Sequence, residues 1–546
     1  MSRVSIKHKD TLLYFYSYIK TISTMKKHIF RYITCLLFSC IAFTSCDGNS
    51  NDGEETSPKI SINLRSCSIT EGTEYVASEL KEVTLSYNNV VAVNTSANIT
   101  LNDTKCSAQS SSTTAMDVVI TLPTLEEGKS YTLTIPEGAI VYKNDKTISA
   151  PAYKVSFTTK EGAKPIQNEA TALTKKLGWG WNLGNHFDTS SGEDGKPNQW
   201  GWWDNATPTA MLYQNLKKAG ASTVRICVTW GNYQTADPWT IDATYMADVR
   251  QNVDWAEAAG LNVILNMHHD EYWQDIKEAA NNNLINDSMK DRIEKTWTQI
   301  AETFKDKGDF LFFESFNEIQ DGNWGWGDNL KDGGKQYKTL NEWNQLVVNT
   351  IRATGGNNAT RWIGVPAYAS SPKFALENSF ELPADAANRV MVSVHFYDPD
   401  AFTLSPEKAG YGVPEWGHTA ATGKFIAGTN EDHVVETFQK LQEKFIANNI
   451  PVYIGEYGCV MHTSDRSNLF RNYYLEYVCR AAHTYNLPVC IWDNNSTGGG
   501  NEHHGYFNHH DGTYLNGLES LVQTMIKAAT SDDTTYTLES IYNRAP

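Results

Sequence analysis

Basic charge, paired cysteines and long apolar runs are all scarce in this chain, and each scarcity removes a class of function. Among 546 residues, 46 Lys and Arg stand against 63 Asp and Glu, a formal charge of −17. A chain built to hold nucleic acid carries a basic stripe, and none is present, so no nucleic-acid partner is expected. The nine cysteines include no Cys-x-x-Cys spacing, which argues against a structural zinc site. Cys67 and Cys106 either pair within one small domain or stand as buried thiols. The apolar run Ile33–Phe43 falls well short of the ~20 residues a spanning helix needs. What is present is a globular composition, 40% apolar and 20% charged, with 16 Trp. So many flat rings suit either an aromatic core or the faces of sugars.

The N-terminus reads as a targeting segment and stays outside the fold. Met25-Lys26-Lys27 and Arg31 give a basic head, Ile33–Phe43 an apolar run, and Thr44-Ser45-Cys46 a cysteine after two small residues. This order resembles a bacterial lipoprotein signal, which implies cleavage and lipid attachment at Cys46, with Cys40 as the rival position. The expected address is the bacterial cell surface or outer membrane, or secretion, with the membrane met through the lipid alone. Met25 opens a better signal than Met1. Residues 47–57 are polar and Gly/Asn-rich, as a flexible tether is.

Two or three folding units are expected for this length. Over 58–160 short alternating segments recur between turn residues: Ile60–Leu64, Asp117–Leu122, Tyr131–Ile135 and Tyr153–Phe157. No helical period is sustained, so a β-sandwich is expected. Leu125–Thr159 resembles the immunoglobulin-like modules of bacterial surface proteins, and without an aromatic triad it reads as a spacer. Over 161–546 apolar runs alternate with amphipathic helices. The runs are Gly178–Leu183, Thr223–Val228, Asn262–Met267, Phe310–Phe316, Arg361–Pro366, Val390–Phe396, Pro451–Glu456 and Pro488–Trp492. Helical patterns include Ile241–Ala258, Lys290–Phe304, Glu431–Asn448 and Arg466–Tyr485. Eight such units predict an α/β fold, an eightfold (β/α) TIM barrel. A doubly wound sheet is the alternative, but no Gly-rich phosphate turn follows the first strand.

In such a barrel the reactive groups stand where strands end. Those ends carry Asn182 and Asn185, Arg225, His268 and His269, Asn317 and Glu318, His395 and Tyr397, Glu456, and Trp492. Two glutamates at two strand ends are what a glycosidase needs to hold an acid and a nucleophile across one bond. The ordered motifs Gly180-Trp181-Asn182-Leu183-Gly184-Asn185, Thr223-Val224-Arg225, Met267-His268-His269, Phe316-Asn317-Glu318, Val394-His395-Phe396-Tyr397, Ile454-Gly455-Glu456 and Trp492 resemble glycoside hydrolase family 5 across roughly 170–530. The resemblance implies a cellulase-like retaining enzyme with Glu318 as acid/base and Glu456 as nucleophile. Arg225 and Tyr397 would hold Glu456, and a charged Glu456 would keep Glu318 protonated. Asn317 would meet the sugar 2-hydroxyl, His268 and His395 would line the site, and Trp492 would lie under the reacting ring.

Singly, each residue has an ordinary reading: an Asn-Glu pair as a helix start, a strand arginine as an ion-pair partner, a strand-end Trp as core. The ordering lifts the two glutamates above it. Trp200, Trp202, Trp203, Trp230, Trp273, Trp324, Trp326 and Trp416 follow strand ends as sugar platforms or as loop packing, with Trp324 and Trp326 best placed. His269, Glu502, His503, His504, His509 and His510 raise a metal reading. Adjacent histidines on a strand face opposite ways, however, and neither a metal nor another cofactor is expected. The expected substrate is a β-1,4-glucan: cellulose-type, mixed-linkage or xyloglucan. An endo-β-1,4-mannanase is the enzymatic alternative, and a non-catalytic glycan-binding lipoprotein the alternative of another class. A monomer is expected. Cys46→Ala should move the protein to the soluble fraction and abolish fatty-acid labelling; labelling that persists points to Cys40.

Overall fold

The computed structural model describes residues 60–77, 80–160, 166–189, 206–270, 272–325, 331–406, 411–498, 500–515 and 517–546. The lipoprotein signal, Cys40, Cys46 and the tether lie outside the described residues. The chain separates into two compact units, Met1–Gly162 and Ala163–Pro546.

The first unit is all β. One antiparallel sheet orders Leu64–Cys67, Glu82–Tyr87, Asp117–Thr121 and Ser107–Ser110. A second orders Glu74–Tyr75, Tyr153–Thr159, Ser130–Ile135, Thr100–Leu101 and Thr104–Lys105. A smaller pair joins Val91–Val93 to Ile140–Tyr142. Alternate residues of both large sheets, Val83, Leu85, Val118 and Ile120 from one and Leu133, Ile135, Val155 and Phe157 from the other, meet in a single core. That is the period-2 patterning of a sandwich. The expected strand Ile60–Leu64 is displaced: the strand runs Leu64–Cys67, with a bulge between Leu64 and Ser66. Asn88 accounts for the shift. Its Oδ1 accepts from the Asn63 backbone N–H at 2.8 Å and its Nδ2 donates to the Ser61 carbonyl at 3.1 Å, so a side chain replaces the ladder there. Cys67 and Cys106 are free thiols.

The second unit is a closed barrel of eight parallel strands: β1 (Trp179–Leu183), β2 (Thr223–Ile226), β3 (Asn262–Asn266), β4 (Leu311–Glu314), β5 (Ile363–Pro366), β6 (Val390–Phe396), β7 (Val452–Tyr457) and β8 (Val489–Ile491), with β8 pairing back to β1. Strands buried on both faces read as unbroken apolar runs, which is why they stand out in the sequence. The helices outside are amphipathic. In Ala243–Ala258 the buried positions Tyr245, Val249, Val253 and Ala256 form one stripe. Asp242 caps that helix by accepting the backbone N–H of Thr244 and Tyr245.

Four strands end earlier than the apolar runs suggest. β2 stops at Ile226, β3 at Asn266, β4 at Glu314 and β8 at Ile491. His268 and Glu318 therefore stand in the loops beyond, whereas Glu456 lies inside β7. The buried polar residues Asn182, Arg225, Asn266, Glu314, Ser393, His395 and Glu456 interrupt otherwise apolar strands. A chain starting at Ala163 should fold alone and melt in one cooperative transition; loss of that transition by circular dichroism would show that the barrel needs the first unit.

Candidate active site

Arg225 organises the mouth of the barrel. It is fully buried, and its planar guanidinium is shared among four carboxylate and amide side chains, with Cys227 Sγ a further acceptor at 3.4 Å. Nε and Nη2 donate to the two oxygens of Glu314 at 2.9 and 2.7 Å. Nη2 also reaches Asn317 Oδ1 at 2.7 Å, and Nη1 donates to Glu456 Oε1 at 2.8 Å and Asn182 Oδ1 at 3.0 Å. A permanently charged, planar fork is the side chain suited to such sharing. Burial alone would raise the Glu314 carboxyl, but Arg225 outweighs it and holds the group below its ordinary value. Tyr453 donates to Glu314 Oε2 at 2.6 Å.

Glu456 is gripped from a second side by the Tyr397 hydroxyl, which donates to Oε2 at 3.1 Å. Burial raises its proton affinity and so does Glu318, while His395 and Arg225 oppose them. Among the described residues, Glu318 pairs with no lysine or arginine. Burial pushes its carboxyl up to about 8, aided by the charges of Glu502 and Glu314 and opposed by Arg225. Burial, rather than the charge of Glu456, is thus the leading cause. One oxygen each of Glu318 and Glu456 and one ring nitrogen of His395 lie within 4.8 Å of one another. Of the pair, Glu456 has the arginine that favours the charged form, and Glu318 is the one that burial holds protonated.

His395 Nδ1 lies 2.6 Å from Glu318 Oε1 and 3.7 Å from Glu456 Oε2. Burial lowers the imidazole to about 4, so it is neutral. Nε2 has no hydrogen-bond partner among the described residues. Placing the hydrogen on Nδ1 leaves a lone pair unpaired there rather than an N–H. Nδ1 then donates to Glu318 Oε1, and Oε2 is left to carry the transferable proton.

His268 has the opposite tautomer. Asn266 Oδ1 accepts from the Val228 backbone at 3.1 Å, which turns its Nδ2 to donate to His268 Nδ1 at 3.0 Å. The Nε2–H therefore faces Glu456 Oε1 and Asp188 Oδ2, each 3.9 Å away. The expectation that His268 and His269 diverge is corrected: their ring centroids are 4.4 Å apart, because the strand ends at Asn266 and the pair lies in a loop. Asp188, His268 and His269 offer ligand atoms within 4.8 Å of one another. Yet the His268 Nε2 lone pair is taken by hydrogen, which suits donation rather than metal ligation. The residues 502–510 form no third such cluster among the described residues.

Trp492 lies parallel to His268, interplanar angle 3° and centroids 5.7 Å apart. Gly184 makes room for it: a Cβ there would stand 2.8 Å from the indole and 2.7 Å from the Asp493 carbonyl. Asp493 ties the following loop to the barrel. Its carboxylate accepts from Trp181 Nε1 (2.8 Å), the backbone N–H of Asn495, Tyr506 and Phe507, and His509 Nε2 (3.1 Å). Trp324 is 53% exposed, its backbone N–H bonded to Gln320 Oε1 at 3.1 Å. Trp200, Trp202, Trp203, Trp326 and the Trp273 side chain lie outside the described residues. Trp230 and Trp416 are buried, donating to the carbonyls of Asn266 and Thr429, and so are packing residues rather than platforms.

Glu314, Tyr453, Asn266 and Asp188 were given no role by sequence. The available signal was a carboxylate ending an otherwise apolar strand in Leu311-Phe312-Phe313-Glu314.

The family model for cellulase, glycosyl hydrolase family 5, matches residues 184–498. The chain belongs to glycoside hydrolase family 5. Endoglucanase A of Paenibacillus barcinonensis is 32% identical over 401 residues, covering 69% of this chain and 95% of that protein. A xyloglucan-specific endo-β-1,4-glucanase of Bacteroides ovatus is 30% identical over 392 residues, covering 69% and 76%. Among solved structures, a broad-specificity endoglucanase from Bacteroides salanitronis is 43% identical with a TM-score of 0.63, covering 68% of this chain and 99% of that one. This family 5 enzyme is a glycoside hydrolase. Asp493→Ala should strand the Trp181 indole and several N–H groups, costing about 3 kcal/mol or more. A thermal melt unchanged from wild type would contradict the tie assigned to Asp493.

Proposed function

We propose that the enzyme cleaves internal β-1,4-glucan linkages with retention, Glu318 serving as acid/base and Glu456 as nucleophile. The carrying observation is the approach of the two carboxylates, with oxygens within 4.8 Å. Inverting enzymes need a wider gap to seat a water behind the sugar; retaining enzymes separate the carboxyls by about 5–5.5 Å. In the first step a Glu456 oxygen attacks the anomeric carbon while the bond to the leaving oxygen breaks and Glu318 protonates that oxygen. In the second, Glu318 takes a proton from water as the water attacks the same carbon, and the ester to Glu456 is released.

The neighbours support these roles. Asn317 spends Oδ1 on Arg225, which leaves its Nδ2 to meet the sugar 2-hydroxyl. His268 offers Nε2–H on the same side, Trp492 lies beside it as the sugar platform, and Trp324 is placed for sugars beyond the cut. Names among the relatives and solved structures include endoglucanases, a xyloglucan-specific enzyme and a lichenase. Soluble β-1,4-glucans, mixed-linkage glucan and xyloglucan are accordingly the proposed substrates, ahead of mannan. A non-catalytic binder has no use for a proton held opposite a carboxylate. The Cys46 lipid, the tether over 47–57 and the spacer role of residues 58–160 complete the proposal as a surface-tethered enzyme.

A reducing-sugar assay across soluble β-glucans, xyloglucan and mannan tests the substrate; release from mannan alone would reverse it. Glu456→Gln should remove nearly all turnover. Glu318→Gln should cost on the order of 10²–10⁴-fold with poor leaving groups, and far less when the leaving group needs no proton. The profile of kcat/KM should be bell-shaped. Its alkaline limb should lie near pH 8, where Glu318 loses its proton, and its acid limb where Glu456 gains one. An alkaline limb that persists in Glu318→Gln would contradict the assignment.

A further inference from the structure

We propose that Glu314 is a positioning residue for the nucleophile: it binds one edge of the Arg225 guanidinium, and so fixes the orientation and the share of positive charge that Arg225 presents to Glu456. The inference rests on the roles proposed above for Glu318 and Glu456. Glu314 is fully buried at the end of β4, two strands from Arg225 on β2, and its side chain does not reach the cleft. It uses both oxygens on Nε and Nη2, which leaves Nη1 for Glu456. One cation therefore stands between two carboxylates. Tyr453 on β7 completes Glu314 at 2.6 Å, and Asn266 on β3 approaches it at 3.5 Å.

The consequence is electrostatic. A nucleophile that gives up its charge on attack is slowed by a cation that holds the charge too tightly. A carboxylate–guanidinium–carboxylate arrangement keeps Glu456 ionised and oriented while sparing it the full field of an unshared arginine. The same Glu314 charge raises the proton affinity of Glu318. The other ionisable groups around these residues are His395 and Tyr397 at the two glutamates, His268 and Asp188 beyond Glu456, Cys227 and Cys490 near Arg225, and Glu502 near Glu318. None of them pairs with the Arg225 edge that Glu314 holds.

Full-length enzyme carrying Glu314→Gln would be assayed on 2,4-dinitrophenyl β-cellobioside, whose leaving group needs no proton, and on a soluble β-glucan. With Arg225 unshared, Glu456 is held charged more strongly and the acid limb moves to lower pH by about one unit or more. The alkaline limb on β-glucan also moves to lower pH, because Glu318 loses a neighbouring negative charge. Turnover of the activated substrate falls about tenfold or more. Reduced turnover with both limbs at their wild-type positions would overturn the proposal, since a merely structural lesion moves neither. Glu314→Asp keeps the charge near Glu318 but shortens the reach to Arg225, so its alkaline limb stays in place while its acid limb moves to lower pH and kcat falls. If Glu314→Gln does not fold, Glu314→Asp decides: an acid limb at its wild-type position overturns the proposal, and one moved to lower pH supports it. Glu456→Gln separates the two layers. Wild-type turnover by that variant overturns both readings, whereas its inactivity beside unmoved Glu314→Gln limbs overturns the role of Glu314 alone.

Discussion

A single guanidinium shared between two buried carboxylates is the constraint on which the site depends. Arg225 cannot lose its charge, and burying that charge is tolerated only if every donor is met. Glu314, Glu456, Asn182 and Asn317 meet them, drawn from β1, β4, β7 and the loop after β4. The barrel brings these residues together because side chains from the C-terminal ends of several different strands converge at one mouth. Replacing the network with apolar residues could serve stability equally well, but it would leave no oriented carboxylate at the rim.

The contrast between the two glutamates follows from this arrangement. Glu456, inside a strand, takes hydrogen bonds from arginine and tyrosine, and the arginine favours its charged form against burial. Glu318, in a loop, takes a neutral imidazole and keeps its proton. The two histidines that flank them have opposite tautomers, set by Asn266 in one case and by an unmet Nε2 in the other. Around this centre the fold supplies positioning: Gly184 lets the loop after β1 pass beneath Trp492, and Asp493 binds the loop after β8 to Trp181.

Much of this was legible in the sequence, for physical reasons. Buried parallel strands leave unbroken apolar runs, so all eight were recognisable, and only their edges shifted, by one or two residues. Alternation exposed the strands of the sandwich except near Ile60, where the Asn88 side chain substitutes for a ladder. Glu318 and Glu456 were readable because their motifs fall in order at strand ends. Glu314 was not, since its partner lies 89 residues away and a carboxylate in an apolar strand does not announce what it pairs with. The buried Trp230 and Trp416 show the same limit from the other side: loop position alone does not separate a platform from packing. The divergence expected of His268 and His269 assumed a strand that had already ended.

The claim on which the rest turns is that Glu456 forms a bond to the sugar. NMR of the first product released from a β-1,4-glucan, recorded before mutarotation, tests it most directly. The account predicts the β-anomer at the newly formed reducing end. An initial α-anomer would mean that water attacks in one step, and the roles given to Glu456, Arg225 and Glu318 would be wrong.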